Sequence, residues 1–305
     1  MRNIFFSILI LVFFLSACAS KEPSIEGCTA KTISGTIYST PIPNSIIENN
    51  SPSAAYIEKS LASPNRKFTA NYYSSSNNPL GVIEIRDETG GVLRQIPYQG
   101  ELPAGDPSPS LNIFQWSNDS TYLYYYYSWG ADGMEVAFWW TGYNLQKINI
   151  ETGKVQKVLP NEEFMSFAIS PDETQIAYFR CQDQPNIIYI RDLKTGQERS
   201  AKVTSISRNY VIVGDIYWSP SGEALVFQAQ DDKFIVQTIY LNLSTMKQEV
   251  IKEYPMLDVP QADLQGWVDD SKLEYKEVGD TGLQIIHLEI ETMKTTVIGT
   301  PTPNP

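Results

Sequence analysis

Two pairs of adjacent carboxylates and a single histidine are the side chains whose types and spacing suit acid–base chemistry. The pairs are Asp231-Asp232 and Asp269-Asp270, and the histidine is His287. Two carboxyl groups held a fixed distance apart can hydrolyse glycosides, but adjacent residues of a strand point to opposite sides. His287 follows two isoleucines in an apolar run, and this setting favours a hydrogen-bonded structural residue over a catalytic base.

The compact motifs that usually mark catalytic and cofactor sites do not occur in the sequence. It contains no Gly-x-Ser-x-Gly elbow, no His-Glu-x-x-His pair and no glycine-rich phosphate loop. No stretch has the regular oxygen spacing of a calcium loop either. We therefore predict a protein that is not an enzyme and that uses no metal ion or cofactor.

Aromatic and acidic side chains in polar loops form a second group of candidates, suited to binding. Trp129 and Trp139 flank a Gly-Ala-Asp-Gly turn, where exposed rings can anchor a protein partner or stack on sugar rings. The acidic candidates are Asp132, Asp183, Asp231, Asp232 and Asp280. An acidic surface attracts cations or a basic protein patch. The alternatives are that the aromatic rings fill gaps between sheets and that the carboxylates form a solvated rim.

Five copies of one unit position these loops. A turn segment recurs with its third residue at 63, 117, 170, 219 and 268, in steps of 54, 53, 49 and 49 residues. A strand follows each turn, and a further strand that runs into a polar turn recurs later in every unit. A last short strand completes each unit, which therefore contains four strands. Four antiparallel strands repeated at this period predict an all-β fold, a β-propeller of four-stranded antiparallel blades.

The Ser170-Pro171-Asp172 turn and the Asp192-Leu193-Lys194-Thr195-Gly196 stretch resemble the WD40-like repeats of TolB-type propellers. The resemblance covers roughly residues 55–300 and implies a protein built for contact with other proteins. That family commonly has six blades, whereas five repeats are recognisable here. Residues 31–40 either close the ring by pairing with the last blade or are the remnant of a sixth. The proline-rich residues 301–305 are predicted to be a disordered tail.

The order of strands in such a blade sorts the connections onto two sides of the ring. With strands a to d running outward from the axis, the tight a–b and c–d turns share one side, here called the turn face. The b–c loops share the opposite side, called the loop face. These loops cover residues 74–79, 128–134, 180–186, 228–233 and 277–282. Because they are polar and vary in length, we expect the loop face to be the recognition surface.

The N-terminus resembles a bacterial lipoprotein signal. Arg2 precedes an apolar run over residues 4–15, which is too short to span a bilayer, and Leu15-Ser16-Ala17-Cys18 follows. The resemblance implies that residues 1–17 are removed and that Cys18 receives diacylglycerol, with fatty acids such as palmitate. Residues 18–54 would then be a lipidated linker on the cell membrane or outer membrane, facing outside the cytoplasm. The alternative is an ordinary cleaved signal peptide.

The charge and the remaining cysteines limit the partners and the compartment. The formal charge is −12, and loss of Arg2 with the signal gives −13, so nucleic acid is excluded as a partner on electrostatic grounds. Cys28 and Cys181 are able to form a disulfide outside the cytosol, although spacing alone does not decide between a disulfide and two thiols.

These features together predict a membrane-anchored, extracytoplasmic β-propeller lipoprotein. We expect it to act as an interaction scaffold of the cell envelope, with an unidentified envelope protein as its partner. The alternative is a receptor for a carbohydrate or another small ligand. Enzymatic function is the third alternative, because the sequence contains none of the motifs that mark a catalytic site.

Overall fold

The computed structural model describes nine stretches of the chain, and they consist of strands and turns. They are residues 56–75, 78–98, 110–128, 142–180, 186–204, 212–231, 233–255, 262–279 and 282–300. No helix among these residues is long and apolar enough to cross a membrane.

The first four strands form blade 1 in sequence order, each antiparallel to the next. They are β1 (Tyr56–Ala62), β2 (Phe68–Ser75), β3 (Asn78–Asp87) and β4 (Val92–Pro97). The next seven strands form one continuous sheet. They are β5 (Ser110–Trp116), β6 (Tyr122–Ser128), β7 (Gly142–Asn149), β8 (Val155–Ile169), β9 (Gln175–Arg180), β10 (Ile187–Asp192) and β11 (Glu198–Lys202).

The seven-stranded sheet is two blades that share the 15-residue strand β8. Residues 155–159 of β8, and after an irregularity Glu163 and Phe164, pair with β7, so the first part of β8 forms the outer strand of blade 2. Residues 164–169 pair with β9 and form the inner strand of blade 3. The connection from the outer strand of one blade to the inner strand of the next is therefore itself extended.

The last eight strands form blades 4 and 5. Blade 4 consists of β12 (Ile212–Trp218), β13 (Ala224–Gln230), β14 (Ile235–Asn242) and β15 (Gln248–Pro255). Blade 5 consists of β16 (Ala262–Asp269), β17 (Lys272–Gly279), β18 (Gly282–Glu289) and β19 (Lys294–Gly299). The prediction of blades of four antiparallel strands is confirmed, and the described residues form five of them.

The core of the described part of the chain lies between blades, in four apolar clusters that join blade 1 to 2, 2 to 3, 3 to 4 and 4 to 5. Blade 2 shows how alternation fills two of them. Tyr125 and Tyr127 face blade 1, whereas Tyr124 and Tyr126 face blade 3, and all four are 2–7% exposed. All four rings therefore fill gaps between blades, because a blade inside the stack has both faces covered.

Tryptophans that precede the recurring turns connect neighbouring inner strands. The indole Nε1 of Trp116 donates to the Leu61 carbonyl of the preceding blade, at 2.9 Å. Trp218 Nε1 donates to the Ala168 carbonyl at 2.9 Å in the same way. Because each donor is enclosed between blades, its hydrogen bond avoids the cost of burying an unpaired N–H. The repeated Trp therefore sets the register between blades.

The Ser-x-Asp turns close on themselves through the aspartate. Asp172 accepts hydrogen bonds from Ser170 Oγ at 2.6 Å and from the Thr174 amide at 3.1 Å. Asp119 does the same with Ser117 Oγ at 2.6 Å and the Thr121 amide at 2.9 Å. These hydrogen bonds favour the ionised carboxylate and therefore lower the pKa of each aspartate. The serine hydroxyl has the largest effect, and the backbone amide has the next largest.

Acid is therefore expected to destabilise the protein through its turns. A carboxyl whose pKa is lower in the folded chain stabilises fully above its unfolded pKa, and that contribution is lost as pH falls through the folded pKa. The thermal midpoint of the Asp119→Asn/Asp172→Asn variant is expected to fall less than that of the parent between about pH 5 and pH 3. Asn keeps an acceptor oxygen but does not titrate there. Equal acid slopes for parent and variant, measured by circular dichroism, would contradict this account.

Candidate functional site

Most of the predicted site residues lie outside the described residues. They are Cys18, Cys28, Trp129, Asp132, Trp139, Cys181, Asp183, Asp232 and Asp280. Asp231 is described, and its carboxylate holds its own loop together. Oδ1 accepts the amides of Lys233 and Ile235, both at 2.9 Å. The structure therefore gives Asp231 a local structural role at the loop face.

The side chains that the sequence singled out for acid–base chemistry also have structural partners. Asp269 Oδ1 accepts from the Ser271 amide at 2.9 Å, whereas Asp270 Oδ1 accepts from the Ser221 amide of blade 4 at 2.8 Å. The two adjacent carboxylates thus diverge, as expected. His287 Nε2 lies 3.3 Å from Oε2 of Glu274, its cross-strand neighbour, in agreement with a hydrogen-bonded blade residue.

Two carboxylates on inner strands, Asp215 and Asp263, form the acidic feature that the sequence analysis missed. Asp215 is the central residue of β12, and Asp263 is the second residue of β16, near the end of that strand at the loop face. Both side chains are exposed. We call these two residues the inner acidic pair.

Tyr217 lies beside Asp215 and links blade 4 to blade 5. Its hydroxyl contacts Asp215 Oδ2 at 3.4 Å and donates to the Leu264 carbonyl of blade 5 at 3.2 Å. On β16, Gln265 Nε2 donates to Asp263 Oδ2 at 2.6 Å. Gln265 therefore orients Asp263, whereas Asp215 and the Leu264 carbonyl share the single hydroxyl proton of Tyr217.

The buried side-chain amide of Gln228 stabilises this arrangement. Gln228 is buried, its Nε2 donates to the Tyr254 hydroxyl at 2.9 Å, and its Oε1 accepts the Leu264 amide at 3.3 Å. Burial raises the pKa of the Tyr254 hydroxyl, so it remains a neutral donor and acceptor at physiological pH. Because these groups bridge blades 4 and 5, they hold the two inner strands at a fixed separation.

The inner acidic pair carries negative charge that its surroundings do not neutralise. Desolvation by the surrounding protein raises the pKa of the Asp215 carboxyl, and the charge of Asp263 acts in the same direction, while the Tyr217 hydrogen bond opposes both. Among the described residues, neither carboxylate forms an ion pair with Lys or Arg. The nearby Glu277 differs, since Lys252 Nζ lies 2.8 Å from its Oε2.

The inner strand of blade 1 carries a charge of the opposite sign. Lys59 Nζ donates to the Ile113 carbonyl of blade 2 at 2.7 Å, and burial lowers the pKa of this amine. The described residues contain no group of three His, Cys, Asp or Glu side chains placed to hold a metal ion. The inner acidic pair therefore produces a local negative potential beside the inner strands of blades 4 and 5.

A positional signal in the sequence points to the inner acidic pair. Ser219 and Val268 are the third residues of two of the recurring turn segments. Asp215 lies four residues before Ser219, and Asp263 lies five residues before Val268. The offset differs because the inner strands carry irregularities at different points, between Val213 and Ile216 in β12 and between Leu264 and Gly266 in β16. Sequence alternation alone does not reveal such bulges.

Comparison with known proteins identifies the fold and not the activity. No family model matches the sequence, and no curated protein matches it. The chain is similar in structure to an oligogalacturonate lyase in complex with manganese, with a TM-score of 0.50 and 12% identity over 79% of this chain and 64% of that one. TolB from Acinetobacter baumannii gives 0.48 and 12%, over 81% and 55%. Hydrazine synthase from Kuenenia stuttgartiensis gives 0.48 and 13%, over 80% and 66%.

The blades themselves, together with the likeness to the oligogalacturonate lyase, define an all-β propeller with four-stranded antiparallel blades. At this level of identity the likeness shows the fold alone, and proteins with unrelated functions share propellers. The chain spans between about half and two thirds of the length of these three proteins.

Proposed function

We propose that this protein is a membrane-anchored, extracytoplasmic propeller that binds a protein of the cell envelope through its loop face. The single observation that carries the proposal is the inner acidic pair, Asp215 and Asp263, whose charge no described cation neutralises. The partner surface that fits it is basic. Complementary charge of this kind increases the rate of association and selects against wrong partners.

The rigidity of the blades supports a binding role. The four inter-blade clusters and the tryptophan hydrogen bonds fix the strands from which the loops emerge. Recognition loops on a rigid scaffold are a common arrangement, since the scaffold limits the conformational entropy lost on binding. The proposal includes lipid on Cys18 as the membrane anchor and no catalytic activity.

A charge-neutralising pair of substitutions tests the role of the inner acidic pair. Asp215→Asn/Asp263→Asn keeps the acceptors for Tyr217 and Gln265 but removes two negative charges. We expect in-cell crosslinking to the partner to fall about tenfold, because loop-face charge is lost without loss of fold.

The control removes the same charge from the opposite side of the ring. Glu88 and Glu291 are exposed residues of turn-face turns, and Glu88→Gln/Glu291→Gln is expected to leave the crosslinking yield unchanged. An equal fall in both double variants would show that net charge matters and the loop face does not. An unchanged yield in the Asp215→Asn/Asp263→Asn variant would remove the inner acidic pair from the interface.

A further inference from the structure

Three exposed apolar side chains lie in or beside the b–c loops of blades 4 and 5. Phe234 is 46% exposed, Val278 52% and Leu283 46%. Val278 and Leu283 are cross-strand partners at the loop-face end of β17 and β18. The described residues that border the b–c loops of blades 2 and 3 are Ser128, Gly142, Arg180 and Asn186. Exposed apolar residues therefore distinguish blades 4 and 5 from these two, and we call Phe234, Val278 and Leu283 the apolar tips.

The backbone of Phe234 has a conformation that a bulky side chain disfavours. Its φ angle is +61°, in the left-handed region, where hairpin loops usually place glycine. Among the described non-glycine residues with positive φ, Phe234 is the only aromatic one. Strain in the backbone and exposure of the ring to water both lower the stability of the fold. Local folding therefore does not explain why phenylalanine occupies this position, whereas contact of the ring with another molecule does.

Asp231 holds the loop in this conformation. Its Oδ1 accepts the amides of Lys233 and Ile235, and its carbonyl accepts the Phe234 amide at 3.1 Å. The Asp231 amide in turn donates to the Ile235 carbonyl at 3.0 Å. These four hydrogen bonds fix the backbone on both sides of Phe234. The ring is therefore presented in a preset position, which reduces the conformational entropy lost when it binds.

Carboxylates without a cationic partner accompany the apolar tips on blades 4 and 5. The inner acidic pair forms no ion pair among the described residues. Glu253 is exposed near the loop-face end of β15, and its Oε2 accepts from the neutral Gln237 Nε2 at 2.6 Å. The loop-face side of these two blades therefore combines exposed apolar groups with uncompensated negative charge.

We propose that the apolar tips and the inner acidic pair together bind an amphipathic, basic segment of a partner protein. This inference rests on the proposed function and specifies the chemistry of the partner. Apolar side chains of the segment pack on Phe234 and on the Val278–Leu283 pair, and its Lys or Arg side chains reach the inner acidic pair. Aromatic anchors contribute much of the binding energy of protein interfaces, whereas complementary charge selects the partner.

The charge of the protein disfavours the two other occupants of such a surface. An anionic bilayer would repel the inner acidic pair and Glu253. A second copy of this chain, with a formal charge of −12, would bring like charges together at the interface. A basic segment has the complementary sign, so it is the occupant that the described residues favour.

Fluorescence anisotropy with a labelled amphipathic peptide of leucine and lysine tests the inference on the full-length protein. A peptide with glutamate in place of lysine is the charge control. We expect the lysine peptide to bind the parent and to bind the Phe234→Ala variant about tenfold more weakly, because truncation removes the aromatic anchor. Val268→Ala is the matched control, since Val268 is 45% exposed but lies on the turn face, and its affinity is expected to equal that of the parent.

Phe234→Gly separates a binding role of the ring from a structural one. Glycine adopts the left-handed conformation without strain, so the thermal midpoint of this variant is expected to equal or exceed that of the parent. Its affinity for the lysine peptide is expected to fall as far as that of Phe234→Ala. A thermal midpoint several degrees below that of the parent would assign the ring a structural role and overturn the inference.

Three further results would overturn the inference. The first is equal affinity of the lysine peptide for the parent and for Phe234→Ala, or a preference of the parent for the glutamate peptide. The second is binding to phosphatidylglycerol vesicles that Phe234→Ala abolishes, because a bilayer would then be the occupant. The third is a dimer that Phe234→Ala dissociates, because a second copy would then be the occupant.

In-cell crosslinking distinguishes failure of this inference from failure of the proposed function. If Phe234→Ala retains the partner at the parent level while Asp215→Asn/Asp263→Asn loses it, the inference fails and the proposed function stands. Retention of the partner by both variants would contradict the inference and the role of the inner acidic pair together. Loss of the partner from both, with retention by Val268→Ala, is the result that we expect.

Discussion

Replacing Cys18 by Ser is expected to move nearly all of the protein from the membrane fraction to the soluble fraction. A serine at this position offers no thiol for the diacylglycerol transfer. Two acyl chains provide stable anchoring, since each buried CH₂ contributes about 0.8 kcal/mol and a single chain binds only marginally. The measurement is fractionation followed by mass spectrometry of the N-terminal peptide.

Cys28→Ser is the matched control for this experiment. It makes the same chemical change ten residues further along the mature chain. The Cys28→Ser protein is expected to remain lipidated and membrane-bound. A Cys18→Ser protein that stays in the membrane fraction at the parent level would show that the resemblance to a lipoprotein signal is misleading.

Truncation of Phe227 to Ala is expected to lower the free energy of unfolding by about 3–5 kcal/mol. Phe227 is fully buried between blades 3 and 4, where its ring lies 5.2 Å from that of Phe179 in an edge-to-face arrangement. The loss combines the transfer free energy of the ring with the cavity that rigid strands on both sides leave unfilled. Urea unfolding followed by circular dichroism measures the effect.

Phe234 provides the control for Phe227 within the same blade. Its side chain is 46% exposed, so Phe234→Ala is expected to change the free energy of unfolding by less than about 0.5 kcal/mol. Similar losses for both variants would mean that the interface between blades 3 and 4 is not a principal source of stability.

The repeats explain why so much of the fold could be predicted from the sequence. The turns at 63, 117, 170 and 219 keep a serine because its hydroxyl and the residues after it close the turn with local hydrogen bonds. Local chemistry of this kind is visible in a sequence. The four strands of each unit follow from the spacing of the turns.

The features that escaped prediction depend on contacts between units. The continuous strand β8, which joins blades 2 and 3, arises because residues 160–163 stay extended between two blades. The burial of both Tyr124 and Tyr125 required knowledge that blade 2 has a neighbour on each side. The electrostatic effect of Asp263 on Asp215 acts between two blades, and the irregularities of β12 and β16 are not visible in the sequence.

In-cell crosslinking with mass spectrometry tests the central claim, that the loop face captures an envelope protein. The parent is compared with a variant in which residues 128–137, a loop-face segment, are replaced by a short Gly-Ser loop, and with the Glu88→Gln/Glu291→Gln control. We predict one dominant envelope protein from the parent and the control, and its loss from the loop variant. Equal capture from all three proteins, or capture from none, would contradict a scaffold that works through this face.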